Sequence, residues 1–148
     1  MKMEDCRNRL LGIWGIGFGL LFFLLLLQTF FLKYGTKYDE VTGWFFPLTV
    51  PTLMLMVGVT LAERRNETKR HAKIGKAKKE SGEIEADSKI FKIAQYGSIF
   101  YLLLIFSVFF IEPLVPRGPL ELMKDTKPFL SVLDGLVTAV IGYFFVKK

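Results

Sequence analysis

Asp134 is the only acidic or basic residue well inside an apolar stretch of this 148-residue chain. It lies about five residues into the apolar segment 129–146. A charge near the centre of a bilayer costs at least ~2.5 kcal/mol on insertion scales, and such residues are usually paired or functional. None of the four apolar stretches contains a Lys or Arg that could pair with it. The type and position of Asp134 therefore predict a structural polar cluster or a site that binds a cation or a proton, unless the residue lies at a wet interface.

Polar side chains also occur in the other three apolar stretches, at a depth similar to that of Asp134. At ~1.5 Å per residue of helix, they fall roughly 5–10 Å below the expected outer surface. They are Gln28, Thr29, Thr49, Thr52 and Ser107. One polar group per helix at one depth can converge on Asp134. Three interpretations stay open: a structural cluster with a neutral Asp134, a polar vestibule open to the outside, or an Asp134 that lies at a wet interface.

The elements that must position these side chains are four apolar blocks separated by charge. They cover approximately residues 10–32, 45–62, 93–111 and 129–146. A run of 18 or more apolar residues is typical of a transmembrane helix, because about 20 residues span the hydrocarbon core. Backbone in lipid must satisfy its own hydrogen bonds, and continuous apolar runs do not fit barrel strands. The sequence predicts an all-α, integral membrane four-helix bundle made of two transmembrane hairpins, in a single domain over residues 1–148.

The distribution of basic residues predicts the orientation of the bundle. Of the 20 Lys and Arg, three lie in the amino-terminal tail, ten in the loop 63–92 and two at the carboxyl end. The two remaining loops hold five. Basic flanks stay on the cytoplasmic side. Both termini and the long basic loop are therefore expected in the cytoplasm, with the chain in a bacterial inner or plasma membrane.

Small residues recur on one face of the first and fourth blocks. They are Gly12, Gly15 and Gly19 in the first block, and Ser131, Gly135, Ala139 and Gly142 in the fourth. Small residues let helix backbones approach closely, which drives helix association in lipid. These faces are expected either to pack against neighbouring helices of the same chain or to form an interface between copies.

The loop 63–92 is strongly basic where it leaves the membrane. Between Arg64 and Lys79 only Glu67 opposes the basic residues, which are Arg64, Arg65, Lys69, Arg70, Lys73, Lys76, Lys78 and Lys79. The second helix is expected to continue into this segment. Each Lys or Arg near anionic lipid is worth about 1 kcal/mol, so headgroup or partner docking is one interpretation. The other is a solvated topology signal, and nucleic-acid binding is not expected because the block has no aromatic side chains.

Prolines set two further expectations about local structure. Pro51 lies inside the second block and removes the hydrogen-bond donor to the Pro47 carbonyl, which predicts a kink or wide turn. Pro119 begins a short segment, 119–125, that is expected to form a separate interfacial helix.

The residue inventory disfavours enzymatic chemistry. His71 is the only histidine and Cys6 the only cysteine, which argues against a metal centre of the His/Cys kind and against a Ser-His-Asp triad. No cofactor or metal is expected. The leading hypothesis is a non-enzymatic membrane subunit that self-associates or anchors a soluble cytoplasmic partner. The alternatives are a small ion channel or proton-coupled carrier that uses Asp134, and a pore-forming membrane effector.

Overall fold

The computed structural model describes residues 3–31, 35–73, 88–111 and 119–146, and this part of the chain contains helices and no strand. The long helices are α1 (Met3–Phe30), α2 (Tyr38–Lys73), α3 (Ser88–Ile111) and α4 (Pro119–Val146). A single 3₁₀ turn, Gly35–Lys37, precedes α2. Each long helix has a portion that is long and apolar enough to cross a membrane. The all-α fold with four candidate spans is confirmed.

The helix starts follow from local sequence. Acidic side chains fill the first turns of α1 and α2, where the positive end of the helix dipole stabilises them. Pro119 opens α4 in the first turn, where a backbone N–H would have no partner within the helix. Gly35 has φ +54°, a left-handed conformation that glycine adopts without steric penalty, and it turns the chain into α2.

The fourth helix is longer than expected, and segment 119–125 is not a separate interfacial helix. It forms the first turns of α4, which continues through Pro128 without interruption. Leu120 and Met123 are buried in the bundle, so their apolar side chains hold this segment against the other helices. As a result Asp134 lies near the middle of α4, about 22 Å from its start at ~1.5 Å per residue.

The second helix extends beyond its apolar span, as the sequence predicts. It runs past Ala62 into the basic segment and ends at Lys73. Pro47 and Pro51 both lie inside this helix, which is not interrupted at either residue. Pro51 has no N–H to donate to the Pro47 carbonyl. At the adjacent residue, the Leu48 carbonyl accepts a hydrogen bond from the Tyr101 hydroxyl of α3 at 2.8 Å.

The helices pack in a definite order around the bundle. Helix α4 makes its most extensive contacts with α2 and α3, and α1 packs mainly on α3 and α2. The order around the bundle is thus α1, α2, α4, α3. Long aromatic side chains bridge the more distant pair α2 and α3, where the Phe109 ring meets the Trp44 ring edge-on at 5.7 Å.

Both termini of the described chain lie at the same end of the bundle. The Arg7 guanidinium donates to the Phe144 carbonyl and lies 6.0 Å from the centre of the Phe145 ring. At the opposite end, Lys124 forms an ion pair with Glu40 at 2.7 Å. This arrangement fits an even number of crossings, while the side of the membrane that holds the termini stays a prediction.

Apolar side chains cover the outside of the bundle as well as its core. Every helix carries large hydrophobic residues that are more than half exposed, among them Ile16, Met54, Phe100 and Phe129. Twenty large hydrophobic residues are exposed in the described chain, far more than water tolerates on a small protein. A lipid environment accounts for this surface. The four apolar helices and their exposed hydrophobic side chains thus indicate a membrane protein.

Candidate functional site: a carboxylate and hydroxyl cluster between two helices

Asp134 lies at the contact between α2 and α4, where two threonine hydroxyls gather around it. The Thr52 hydroxyl of α2 donates to Asp134 Oδ1 at 3.0 Å. The same Thr52 oxygen lies 2.6 Å from the Thr138 hydroxyl of α4. Thr52 is completely buried, whereas Asp134 and Thr138 are half-buried. The three side chains form one hydrogen-bonded group, which we call the Asp134 cluster.

Helical spacing positions the members of this cluster. Asp134 and Thr138 are four residues apart and therefore lie on the same face of α4. On α2, Leu48 and Thr52 have the same spacing, so the Tyr101–Leu48 hydrogen bond lies about one turn from the cluster along α2. Helix α2 is thus tied to α4 through Thr52 and to α3 through its backbone at Leu48.

Titratable groups are sparse at the depth of the Asp134 cluster. Helix α1 contributes none between Leu10 and Phe31, and α2 contributes none between Val41 and Ala62. On α3, Tyr101 is buried and faces the core, while Tyr96 is 67% exposed on the outer surface. The Asp134 carboxyl is therefore surrounded by hydroxyls and apolar side chains at this depth.

The structure does not place all of the other expected polar residues at the depth of Asp134. Gln28, Thr29 and Ser107 lie near the ends of α1 and α3, whereas Asp134 lies fifteen residues into α4. Three hydroxyls donate to the carbonyl four residues earlier, a common way to satisfy a hydroxyl inside a helix. These hydrogen bonds are Thr29 to Leu25 at 2.9 Å, Thr49 to Phe45 at 3.0 Å and Ser107 to Leu103 at 2.8 Å. Gln28 is half-buried on α1. Of the expected partners, Thr52 is the one that the structure places in hydrogen-bonding contact with Asp134.

Two members of this neighbourhood were not anticipated from the sequence. Thr138 lies one turn further along α4 than Asp134 and so falls outside the predicted polar layer. Its spacing of four residues from Asp134 does indicate that the two share a helix face. Tyr101 was overlooked because an aromatic residue in an apolar helix is usually a packing residue. Its hydroxyl has a second role as the donor to the Leu48 carbonyl, because a buried Tyr O–H requires an acceptor.

The small-residue faces of α1 and α4 point away from the rest of the chain. Gly15 and Gly19 are exposed on α1, and Ser131, Gly135 and Ala139 are exposed on α4. A Cβ atom built at any of the five stripe glycines, which are Gly12, Gly15, Gly19, Gly135 and Gly142, would meet no atom within 4 Å. These faces do not pack on neighbouring helices in the described part of the chain, which leaves the interface between copies as the open interpretation.

A different glycine makes the close helix contact in the bundle. A Cβ at Gly17 would lie 2.6 Å from Leu102 Cδ1 and 3.3 Å from its Cγ. Helices α1 and α3 therefore meet at Gly17, which falls outside the pattern of small residues read from the sequence.

The basic docking segment lies only partly within the described chain. Helix α2 carries Arg64, Arg65, Lys69, Arg70 and Lys73 on its extension, and the structure describes their backbone but not their side chains. Lys76, Lys78 and Lys79 lie outside the described residues. Docking to lipid headgroups or to a partner therefore stays a prediction.

Comparison with protein-family models, with curated proteins and with solved structures finds no match for this chain.

Proposed function

We propose that the protein is a non-enzymatic, multi-pass membrane subunit that associates with further copies of itself through the small-residue face of α4. The observation that supports this is the open position of Ser131, Gly135 and Ala139 on the outside of the bundle. No other helix in the described part of the chain packs against a Cβ position at Gly135. The face is accessible to a second helix along its length.

The chemistry of lipid makes this face a favourable place for association. Lipid tails are as apolar as leucine, so helices gain little from hiding apolar side chains and associate through close packing instead. Large side chains flank the α4 face, with Val132 at 66% and Leu136 at 61% exposed. Small residues between larger ones form a groove into which the ridge of another helix fits. The α1 face around Gly15 offers a second groove of the same kind.

The basic extension of α2 gives this proposed subunit a second role as an anchor. The helix leaves the apolar region at Ala62 and continues for eleven residues, roughly 16 Å, at ~1.5 Å per residue. The segment lies at the end of α2 opposite to the Lys124–Glu40 ion pair. A basic helix at this end suits an acidic surface, either anionic lipid headgroups or an acidic soluble partner on the cytoplasmic side.

Gly135→Leu tests the self-association through the mass of the detergent-solubilised protein. We expect the wild-type protein to form oligomers whose dissociation constant rises at least about tenfold in the variant, which corresponds to about 1.4 kcal/mol. Gly58→Leu is the matched control, because Gly58 of α2 is also exposed with no atom within 4 Å of a built Cβ. A wild-type protein that is monomeric at every concentration would refute the proposal, as would equal effects of the two substitutions.

The Asp134 cluster supports a second candidate function, a small ion channel or proton-coupled carrier. The specific observation is a half-buried carboxyl near the middle of a membrane helix with two hydroxyls arranged beside it. Intramembrane carboxyls of this kind commonly mark ion pathways. Ion flux into vesicles that contain the purified protein tests this function, with Asp134→Asn as the variant. Flux that is absent, or that Asp134→Asn leaves unchanged, would rule the function out.

A further inference from the structure

The oxygen atoms of the Asp134 cluster lie at hydrogen-bonding distances from one another, and one pair is closer together than adjacent ligands of a bound metal ion. The separations are 3.0 Å from Thr52 to Asp134 and 2.6 Å from Thr52 to Thr138. Adjacent ligands of a Ca²⁺-sized ion, at 2.3–2.6 Å from the metal, are about 3.3–3.7 Å apart at right angles. Even around the smaller Mg²⁺ they are about 2.9 Å apart. A 2.6 Å separation is instead typical of two oxygens that share a proton.

The hydrogen-bond donors in this cluster can be ordered along a chain. Each threonine hydroxyl carries a single proton. In one arrangement Thr52 donates its proton to Asp134, and Thr138 donates to Thr52 across the short contact between the two hydroxyls. The Thr138 hydroxyl also lies within hydrogen-bonding reach of the Asp134 carboxyl. When Asp134 is instead protonated and donates to Thr52, the chain reverses, and Thr52 then donates to Thr138. The two directions of the chain correspond to the two protonation states of Asp134.

We infer that Thr138, Thr52 and Asp134 form a proton relay, in which Asp134 holds a proton that the two hydroxyls deliver and remove. The inference rests on the second candidate function, ion movement that uses Asp134, and it names the ion as H⁺. In the uptake step, a hydronium ion from the aqueous phase gives a proton to Thr138. Thr138 passes its own proton to Thr52, and Thr52 passes its own to the carboxylate. Each hydroxyl gains one proton and loses one, water is released, and the carboxylate becomes a carboxylic acid.

The position of Thr138 gives the relay a direction along the bundle. Thr138 lies one turn closer than Asp134 to the end of the bundle where Arg7 contacts Phe144. Buried apolar residues of α2 and α4 lie in both directions from the cluster. They are Leu48, Phe45 and Leu130 towards the other end, and Met56, Ile141 and Phe144 towards the termini. Tyr101 is the buried titratable group that α3 presents at this depth, and its hydroxyl proton is engaged with the Leu48 carbonyl. The hydroxyl chain thus leads from Asp134 towards the end that holds the termini.

Infrared spectroscopy of the full-length protein in lipid vesicles tests the relay. A protonated carboxyl gives a C=O stretching band, and we expect such a band that disappears in Asp134→Asn and depends on pH. Thr52→Val should shift the frequency of this band, because it removes the hydrogen-bond partner of the carboxyl. Thr49→Val is the matched control, since Thr49 is equally buried on α2 and its hydroxyl bonds to Phe45 of its own helix. A band that Thr52→Val leaves unchanged would refute the inference.

Two further measurements separate the failure of the relay from the failure of the carrier function. Addition of NaCl at constant pH should leave the Asp134 band unchanged; loss of the band would show a metal cation that displaces the proton. In vesicles, Thr138→Val should slow proton flux at least about tenfold, while Thr49→Val leaves it unchanged. Flux that follows a Na⁺ gradient and not a pH gradient would refute the relay, while the carrier function would stand. If the Asp134 band titrates and responds to Thr52→Val but no flux is observed, the proton site stands and the carrier function is refuted.

Discussion

Addition of a single methyl group at Gly17 tests the packing of α1 against α3. A Cβ at this position would lie 2.6 Å from Leu102 Cδ1, 3.2 Å from Cδ2 and 3.3 Å from Cγ. Because all three outer carbons of Leu102 are close, rotation of one methyl group does not relieve the overlap. Leu102 is 8% exposed and has little room to withdraw. Gly17→Ala should therefore force the two helices apart or push Leu102 out of its rotamer.

The magnitude follows from comparison with Gly15→Ala in the same helix. Overpacking of a core by one methyl group typically costs 1–3 kcal/mol, about the range expected here. Replacement of a helical glycine by alanine adds about 1 kcal/mol of helix stability, and this term is common to both variants. A Cβ at Gly15 meets no atom within 4 Å, so Gly15→Ala carries the favourable term alone. Gly17→Ala should thus be less stable than Gly15→Ala by about 1–3 kcal/mol.

Equilibrium unfolding in mixed micelles by a denaturing detergent, followed by fluorescence of the two buried tryptophans, Trp14 and Trp44, measures this difference. The protein is diluted in detergent so that association between copies does not contribute. Leu102→Ala removes the side chain that the added methyl group at position 17 would meet, so the destabilisation by Gly17→Ala should disappear in that background. A double-mutant cycle gives the coupling energy. Equal stability of Gly17→Ala and Gly15→Ala with Leu102 present would refute this packing of α1 on α3.

One hydrogen bond and one ion pair give further predictions. Tyr101→Phe removes the donor to the Leu48 carbonyl and should lower the free energy of unfolding by about 0.5–1.5 kcal/mol, whereas Tyr96→Phe, at a 67% exposed position, should have no effect. Lys124→Ala breaks the exposed ion pair with Glu40 and should leave detergent stability unchanged within error at physiological ionic strength, because exposed pairs are screened by water and salt. The same unfolding experiment measures both.

The fold could be predicted from the sequence because its signal is continuous along the chain. Uninterrupted apolar blocks permit helices and exclude most other structures in lipid. The start of α4 was misjudged because Pro128 and several charges mark a boundary in sequence, whereas burial of Leu120 and Met123 continues the helix. Local composition does not reveal which apolar side chains pack against another helix.

The candidate site was only partly predictable because the depth of a residue depends on where its helix begins and ends. Gln28 and Thr29 lie in the last turn of α1 and Ser107 lies close to the end of α3, whereas Asp134 lies fifteen residues from the start of α4. Depth is also only one coordinate of a position. Residues at one depth can point in any direction around their helices, and a lone hydroxyl can always bond to its own backbone. Thr49 and Thr52 are equally buried on α2, but only Thr52 reaches Asp134. The rotation of α2 about its axis decides between them, and rotation depends on packing against α3 and α4. The direction of the glycine faces depends on the same rotations.

The four-crossing topology is tested most directly by labelling single cysteines in intact spheroplasts with a membrane-impermeant maleimide. The cysteines replace one exposed residue near the start of each helix, in a Cys6→Ala background, since Cys6 is the only native cysteine. The variants are Glu4→Cys, Lys37→Cys, Lys89→Cys and Glu121→Cys. We expect labelling at positions 37 and 121 in intact spheroplasts, and at positions 4 and 89 only after permeabilisation. Labelling of all four positions from one side, or of positions 4 and 37 from the same side, would contradict the four-span bundle with both termini in the cytoplasm.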